Sequence, residues 1–161
     1  MIFDWGDTIM RDHPENEGPM AEWPKVEMVP FADMALKAMS KKYTCCIASN
    51  AGFSNTEQMR KALKRVGAEK YFMHFYTSID LGYEKPDVRY FRMICEMSKI
   101  YPSECVMVGN DYHKDIVGAK AAGMKTVFFN EKQIPVDCTE ADEIICSLKE
   151  LPEAIENILL Y

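Results

Sequence analysis

Residues 3–8 read FDWGDT: two acids and a threonine in a glycine-bearing turn, straight after the apolar stub MIF. An apolar stub that breaks into a polar turn is how a buried strand delivers side chains to the edge of a sheet, where α/β folds bind ligands. Read alone, Asp4 is either a nucleophile with supporting groups or the polar end of a strand. The other strand ends of the chain decide between them.

Further apolar stubs follow in YTCCIA (43–48), MHFYTS (73–78), ECVMVG (104–109), KTVFF (125–129) and EIIC (143–146). Helical periodicity fills the gaps. Phe31, Ala35, Ala38 and Met39 fall on one face. Ser54 and Glu57 form a capping-box pattern opening a helix that turns Met59, Leu63 and Val66 inward and stops at Gly67. Pro86 and Asp87 start a helix burying Phe91, Ile94 and Cys95, the helix after the fourth strand ends at Gly123, and residues 152–160 form a closing helix. Strands alternating with helices of this length predict an α/β fold, a mostly parallel sheet covered by helices on both faces. The 161 residues suit one domain, with 11–30 as an irregular, proline-bearing flap. Only three residues precede Asp4, whereas a central strand of about five is expected, so the native chain is expected to begin upstream of Met1.

A net charge of -6 argues against general nucleic-acid or anionic-membrane binding, both of which need a basic face. No apolar run reaches the roughly 18 residues of a membrane span. The six cysteines form no CxxC pair and read as free thiols, most of them buried, which points to a cytoplasmic protein.

Four strand ends carry chemistry. The first holds Asp4, Gly6, Asp7 and Thr8; the second Ser49 and Asn50; the third leads to Lys85-Pro86; the fourth holds Asn110 and Asp111, with Asp115 one turn further on. Brought together, these acids, hydroxyls, amides and one lysine are an inventory for a hard cation and a phosphoryl group: carboxylates hold Mg²⁺, lysine and hydroxyl meet phosphate oxygens, and a carboxylate can attack phosphorus.

In the order and spacing of these four motifs the chain resembles the haloacid dehalogenase (HAD) superfamily of hydrolases from end to end. The stretches SNAG, GYEKPDVRYF, VGNDYHKDIVGAKAAGM and ADEIICSLKELPEAI read like its phosphatase-like branch. The resemblance implies a three-layer, Rossmann-like fold and Mg²⁺-dependent hydrolysis of a phosphate monoester through an aspartyl-phosphate on Asp4. Thr8 would steady the turn, Ser49 and Lys85 would bind phosphate, and Asn50 would add an amide contact. The Gly6 carbonyl would join Asp4 on the metal. For the fourth motif two registers stand: Asn110 ligates through its side-chain oxygen, or Asp111 does, with Asp115 ligating or supporting. Asp111 is expected to be the stronger ligand, because hard cations prefer anionic oxygen.

The chain departs from the family at Gly6, where the phosphatases usually carry a second Asp that protonates the leaving oxygen and later activates water. Asp7 stands one place further on and, in an extended stretch, points to the other side. Two alternatives follow from this: a catalytically weak HAD-fold protein that holds a phosphorylated ligand, or a dehalogenase- or phosphonatase-like hydrolase. Residues 11–30 are too few for a packed cap domain, so an open site is expected. It would take a small or macromolecular phosphorylated substrate, or be covered by a second copy of the chain. In that segment Arg11, His13 and Trp23 are candidate substrate contacts, with Trp23 more naturally packed on the core; His113 reads as a surface residue and His74 as structural.

Overall fold

Ile2 and Phe3 are neighbours in the chain but belong to different cores, one on each face of the sheet. The pleat dictates this, since successive side chains of a strand point to opposite sides. The computed structural model describes residues 1–160. Its strands are β1 (Ile2–Phe3), β2 (Cys46–Ser49), β3 (His74–Thr77), β4 (Val106–Gly109), β5 (Lys125–Phe129) and β6 (Glu143–Ile145). They form one parallel sheet in the order β3-β2-β1-β4-β5-β6.

On the Phe3 side lie Ile47, Val108, Val127 and Phe129, covered by α1 (Ala32–Met39), α2 (Thr56–Arg65) and α6 (Leu151–Leu159) through Leu36, Met39, Met59, Leu63, Ile155 and Ile158. A single turn, α3 (Ser78–Leu81), follows β3. On the Ile2 side lie Cys46, Ala48 and Met107, covered by α4 (Val88–Ser98) and α5 (Gly118–Ala121) through Tyr90, Phe91, Ile94 and Ala119. The three-layer, mostly parallel α/β fold expected from the sequence is therefore the observed one. After β1 the chain winds outward through β2 and β3, then returns to place β4 on the other side of β1. The winding reverses there, and the carboxyl ends of β1, β2 and β4 surround the resulting crevice.

Several local expectations shift. β1 spans two residues, but backbone pairing runs beyond it: the Cys46 amide donates to Met1 O at 2.8 Å and the Asp4 amide to Val108 O at 2.9 Å. The cap of α2 is Asn55 with Gln58, one place after the Ser54–Glu57 pair; the Asn55 side chain accepts from the Gln58 amide and the Gln58 side chain from the Asn55 amide. Phe31 lies outside α1, at φ 66° and exposed, with the Lys149 ammonium 4.0 Å from its ring centre. Gly67 and Gly123 adopt the left-handed conformations expected of helix stops. Among the described residues the six cysteines are free thiols, four of them buried, and no helix is long and apolar enough to cross a membrane.

The 11–30 segment is tied down along its length. Met10 bridges to both Gly6 and Met28. Met20 and Trp23 are buried in the Phe3-side core. The Arg65 guanidinium of α2 donates to the carbonyls of Ala21 at 3.1 Å and Trp23 at 2.6 Å.

Candidate active site

The Trp5 carbonyl accepts from the amides of Thr8, Ile9 and Met10 at 3.3, 2.9 and 3.1 Å. This turn folds Thr8 back over the end of β1, where its hydroxyl donates to Asp4 Oδ2 at 3.0 Å. Asp4 and Thr8 are both buried.

Lys85 arrives from the far side of β2. Asn50 clips its backbone twice, Nδ2 donating to Lys85 O and Oδ1 accepting from Lys85 N, each at 2.7 Å. The buried ammonium then donates to Asp4 Oδ1 at 2.8 Å, Ala48 O at 3.0 Å and Asp115 Oδ1 at 2.6 Å, which uses all three of its protons. Burial alone would lower the lysine, but Asp115 and Asp4 overcome it and hold the ammonium above the usual lysine range. For Asp115, burial and then the Asp4 charge push the carboxyl up to about 7, against the pull of Lys85. With one ammonium spent on two carboxylates, no positive charge is left over to meet a phosphate dianion.

Asp115 reaches the site through a π-type turn, Tyr112–Val117, and its Oδ2 accepts from the Asp111 amide at 3.0 Å. A β-carbon at Gly109 would collide with this carboxylate, so the glycine is what lets Asp115 lie against β4.

Asn110, not Asp111, faces Asp4. The Asp111 carboxylate accepts from the Lys114 amide at 2.9 Å as a cap and is 44% exposed. One terminal atom of the Asn110 amide lies 3.0 Å from Asp4 Oδ2 and 3.2 Å from both Gly6 O and Thr8 Oγ1. With the carbonyl oxygen in that place, oxygens from Asp4, Gly6 and Asn110 face one another; with the amide turned over, its NH₂ donates to the same partners. Octahedral Mg²⁺ with ligands at about 2.1 Å sets neighbouring ligand oxygens about 3.0 Å apart. The donor set Asp4, Gly6 carbonyl and Asn110 thus fits a hard cation, with one anionic oxygen and two neutral ones.

An open cleft of about 290 Å³ lies beside this cluster, lined by Gly6, Asp12, Trp23, Ser49 and Asn50 among others. The Ser49 side chain is nearly buried, and its hydroxyl has no protein partner among the described residues. The structure therefore brings Asp4, Gly6, Thr8, Ser49, Lys85, Asn110 and Asp115 together, uses Asn50 as a backbone clip, and sets Asp111 apart as a cap. Asp7, at φ 55°, turns away and lies 3.7 Å from Arg11. Arg11 is held by Glu131 through two contacts of 2.6 Å, and its guanidinium is raised chiefly by that pairing. His13 packs edge-on against Trp23, while His113 and His74 are exposed.

Sequence reading passed over Asp12, which lies on the cleft wall beside Gly6. Though Asp12 is solvent-exposed, the hydration its carboxyl loses to the surrounding flap, and then the Asp7 charge, raise it above the ordinary aspartate value. The signal available was its place at the first turn of the flap.

A family model described as haloacid dehalogenase-like hydrolase matches residues 6–123. The chain is 34% identical over 93 residues to a glyceraldehyde 3-phosphate phosphatase of Methanothermobacter thermautotrophicus, covering 58% of this chain and 40% of that one. It is 30% identical over 134 residues to a ribulose-1,5-bisphosphate 5-phosphatase of Halopiger xanaduensis, covering 83% of this chain and 55% of that one. It thus spans about half the length of these curated relatives. In structure it is similar to an uncharacterized protein from Listeria monocytogenes, with a TM-score of 0.88, 26% identity and coverage of 99% and 98% of the two chains.

Proposed function

This chain belongs to the haloacid dehalogenase-like hydrolase family, and on that premise we propose that it hydrolyses a phosphate monoester through an aspartyl-phosphate on Asp4. The observation that carries this reading is the setting of Asp4. Its carboxylate stands at the tip of β1, steadied by Thr8 and Lys85, beside a cleft into which Ser49 brings a hydroxyl with no protein partner. The phosphatase names of the two curated relatives support the same class of reaction.

A divalent cation, Mg²⁺ by the choice of oxygen donors, would be held by Asp4 Oδ2, the Gly6 carbonyl and Asn110 Oδ1. When bound it supplies the positive charge that Lys85, fully engaged, does not have to spare. The remaining work belongs to the chain. Thr8 and Lys85 orient the carboxylate, Ser49 donates to a phosphate oxygen, and Asp4 attacks phosphorus as the ester P–O bond breaks. The leaving oxygen takes a proton, and water then attacks the phosphorus of the aspartyl-phosphate, freeing Asp4 and inorganic phosphate. Asp115 and Asn50 act through Lys85, one on its ammonium and one on its backbone.

Replacing Asp4 with Asn is expected to remove turnover of p-nitrophenyl phosphate in Mg²⁺, by a factor of 10³ or more. Turnover equal to wild type would overturn the reading. A second reading, a protein that retains a phosphorylated ligand without turning it over, is favoured by Gly6, which has no side chain to give a proton. A wild type inert on a broad ester panel that still binds phosphate analogues would select it.

A further inference from the structure

The reaction proposed above needs a proton donor for the leaving oxygen and an acceptor for the proton of the attacking water, and Gly6 can be neither. The side chain nearest the space where one at position 6 would stand is that of Asp12. A β-carbon built on Gly6 would have Asp12 Cβ, Cγ and Oδ2 as its nearest neighbours, at 3.6, 3.8 and 3.9 Å. These are ordinary van der Waals distances, so the Asp12 carboxyl lies beside the volume that an acid at position 6 would occupy.

The chain folds so that this happens. Met10 bridges to Gly6, which turns the chain entering the flap back alongside the first motif. The Arg11 amide donates to Glu27 O at 2.9 Å and the Asp12 amide to Asp7 Oδ1 at 3.2 Å. Asp7 thereby holds the backbone of Asp12, and it lines a separate hollow with Asn110 and Glu131 rather than this cleft. Gly6, Asp12, Ser49 and Asn50 line the same cleft. Asp12 is exposed there, and among the described residues no lysine or arginine pairs with it. That leaves its carboxyl open to a substrate.

Resting on the phosphatase reading of the site, we infer that Asp12 is the general acid and base of this enzyme, supplied by the flap in place of a side chain at position 6. As the ester P–O bond breaks, the Asp12 carboxylic acid gives its proton to the leaving oxygen. The resulting carboxylate then takes a proton from the water that attacks the aspartyl-phosphate, and the acid is regenerated. General acid–base help of this kind is worth about 10²- to 10⁴-fold.

The test compares wild type, Asp12→Asn, Asp4→Asn and the double variant Gly6→Asp/Asp12→Ala, each in Mg²⁺, on p-nitrophenyl phosphate and on glycerol phosphate. For Asp12→Asn the expectation is a loss of about 10²- to 10⁴-fold on glycerol phosphate, whose alkoxide must be protonated. On p-nitrophenyl phosphate, whose phenolate leaves unaided, a burst of p-nitrophenolate should precede slow turnover. The double variant is expected to recover at least tenfold over Asp12→Asn on glycerol phosphate, and thermal unfolding of Asp12→Asn should match wild type. Wild-type turnover by Asp12→Asn overturns the inference, as does an equal loss on both esters without a burst. If instead Asp4→Asn turns over like wild type, or wild type is inert, the reading of the site fails and this inference falls with it.

Discussion

Gly109 is a glycine because of a side chain six residues away. The Asp115 carboxylate rests where a β-carbon on residue 109 would be, accepts from the Asp111 amide and receives the Lys85 ammonium. Gly109→Ala should therefore cost about 1–3 kcal/mol by overpacking a site that cannot give way. The Asp115 β-carbon itself would lie 2.6 Å from the new one, so only glycine at 115 relieves the collision. The double variant Gly109→Ala/Asp115→Gly should therefore be no less stable than Asp115→Gly alone in urea denaturation. Additive losses would mean that the collision is with something else. The same crowding explains which site residues could be read from the sequence. Asp4, Thr8, Ser49 and Lys85 follow strands or a proline-marked turn, and their places come directly from the alternation of strand and helix. The choice between Asn110 and Asp111 did not follow: both come straight after β4, and the hardness of the anionic ligand favoured Asp111. In the fold, Asp111 caps the following turn through the Lys114 amide, and Asn110 is the one that faces Asp4. Asp12 carries no such mark: it lies six residues beyond Gly6 in an irregular stretch and comes beside it only through the turn that the Gly6–Met10 bridge closes.

At the scale of elements, Asp142 shows how a short edge strand is held. β6 has three residues, and the carboxylate just before it accepts from Lys120 Nζ, the Thr126 amide at 2.8 Å and Thr126 Oγ1 at 3.1 Å. Burial would raise this carboxyl, yet the Lys120 and Thr126 donors outweigh it and hold it below the usual aspartate value. A carboxyl depressed on folding stabilises above its unfolded value, about pH 3.9, and loses that contribution as pH falls through the folded value. Asp142→Asn should thus cost about 1–2 kcal/mol at pH 7 and progressively less below about pH 4. Urea titrations at the two pH values check it; a cost independent of pH would point to packing rather than charge. The strands and long helices were most legible where an apolar run meets a glycine, proline or capping residue, as at Gly67 after α2 and Asp87 before α4. The misplaced details lie where two signals compete. Asn55 outranks Ser54 as the cap of α2 because Gln58 returns its hydrogen bond, and the left-handed φ of Phe31 removes it from a helix whose period it fits.

For the whole molecule the open question is the balance of charge at the crevice, since the chain carries -6 overall and Lys85 is spent on Asp4 and Asp115. On the proposed reading a cation bound by Asp4, Gly6 O and Asn110 stabilises the entire fold, because it binds the folded chain and not the unfolded one; at a hundred times its dissociation constant this is worth about 2.7 kcal/mol. Asn110→Asp separates that effect from everything else. Without cation it adds a carboxylate beside Asp4, so in EDTA the variant should melt below wild type. With Mg²⁺ the new anionic oxygen is the better hard ligand, so its gain in melting temperature should exceed the wild-type gain, and the order of the two proteins should narrow or reverse. Asp111→Asn, which alters a cap facing solvent, should leave the Mg²⁺ response at its wild-type size. Calorimetry of the three proteins in EDTA and in Mg²⁺ measures all of this without reference to turnover. Equal gains in wild type and Asn110→Asp, or a response that disappears in Asp111→Asn, would move the cation away from Asn110 and onto the other register.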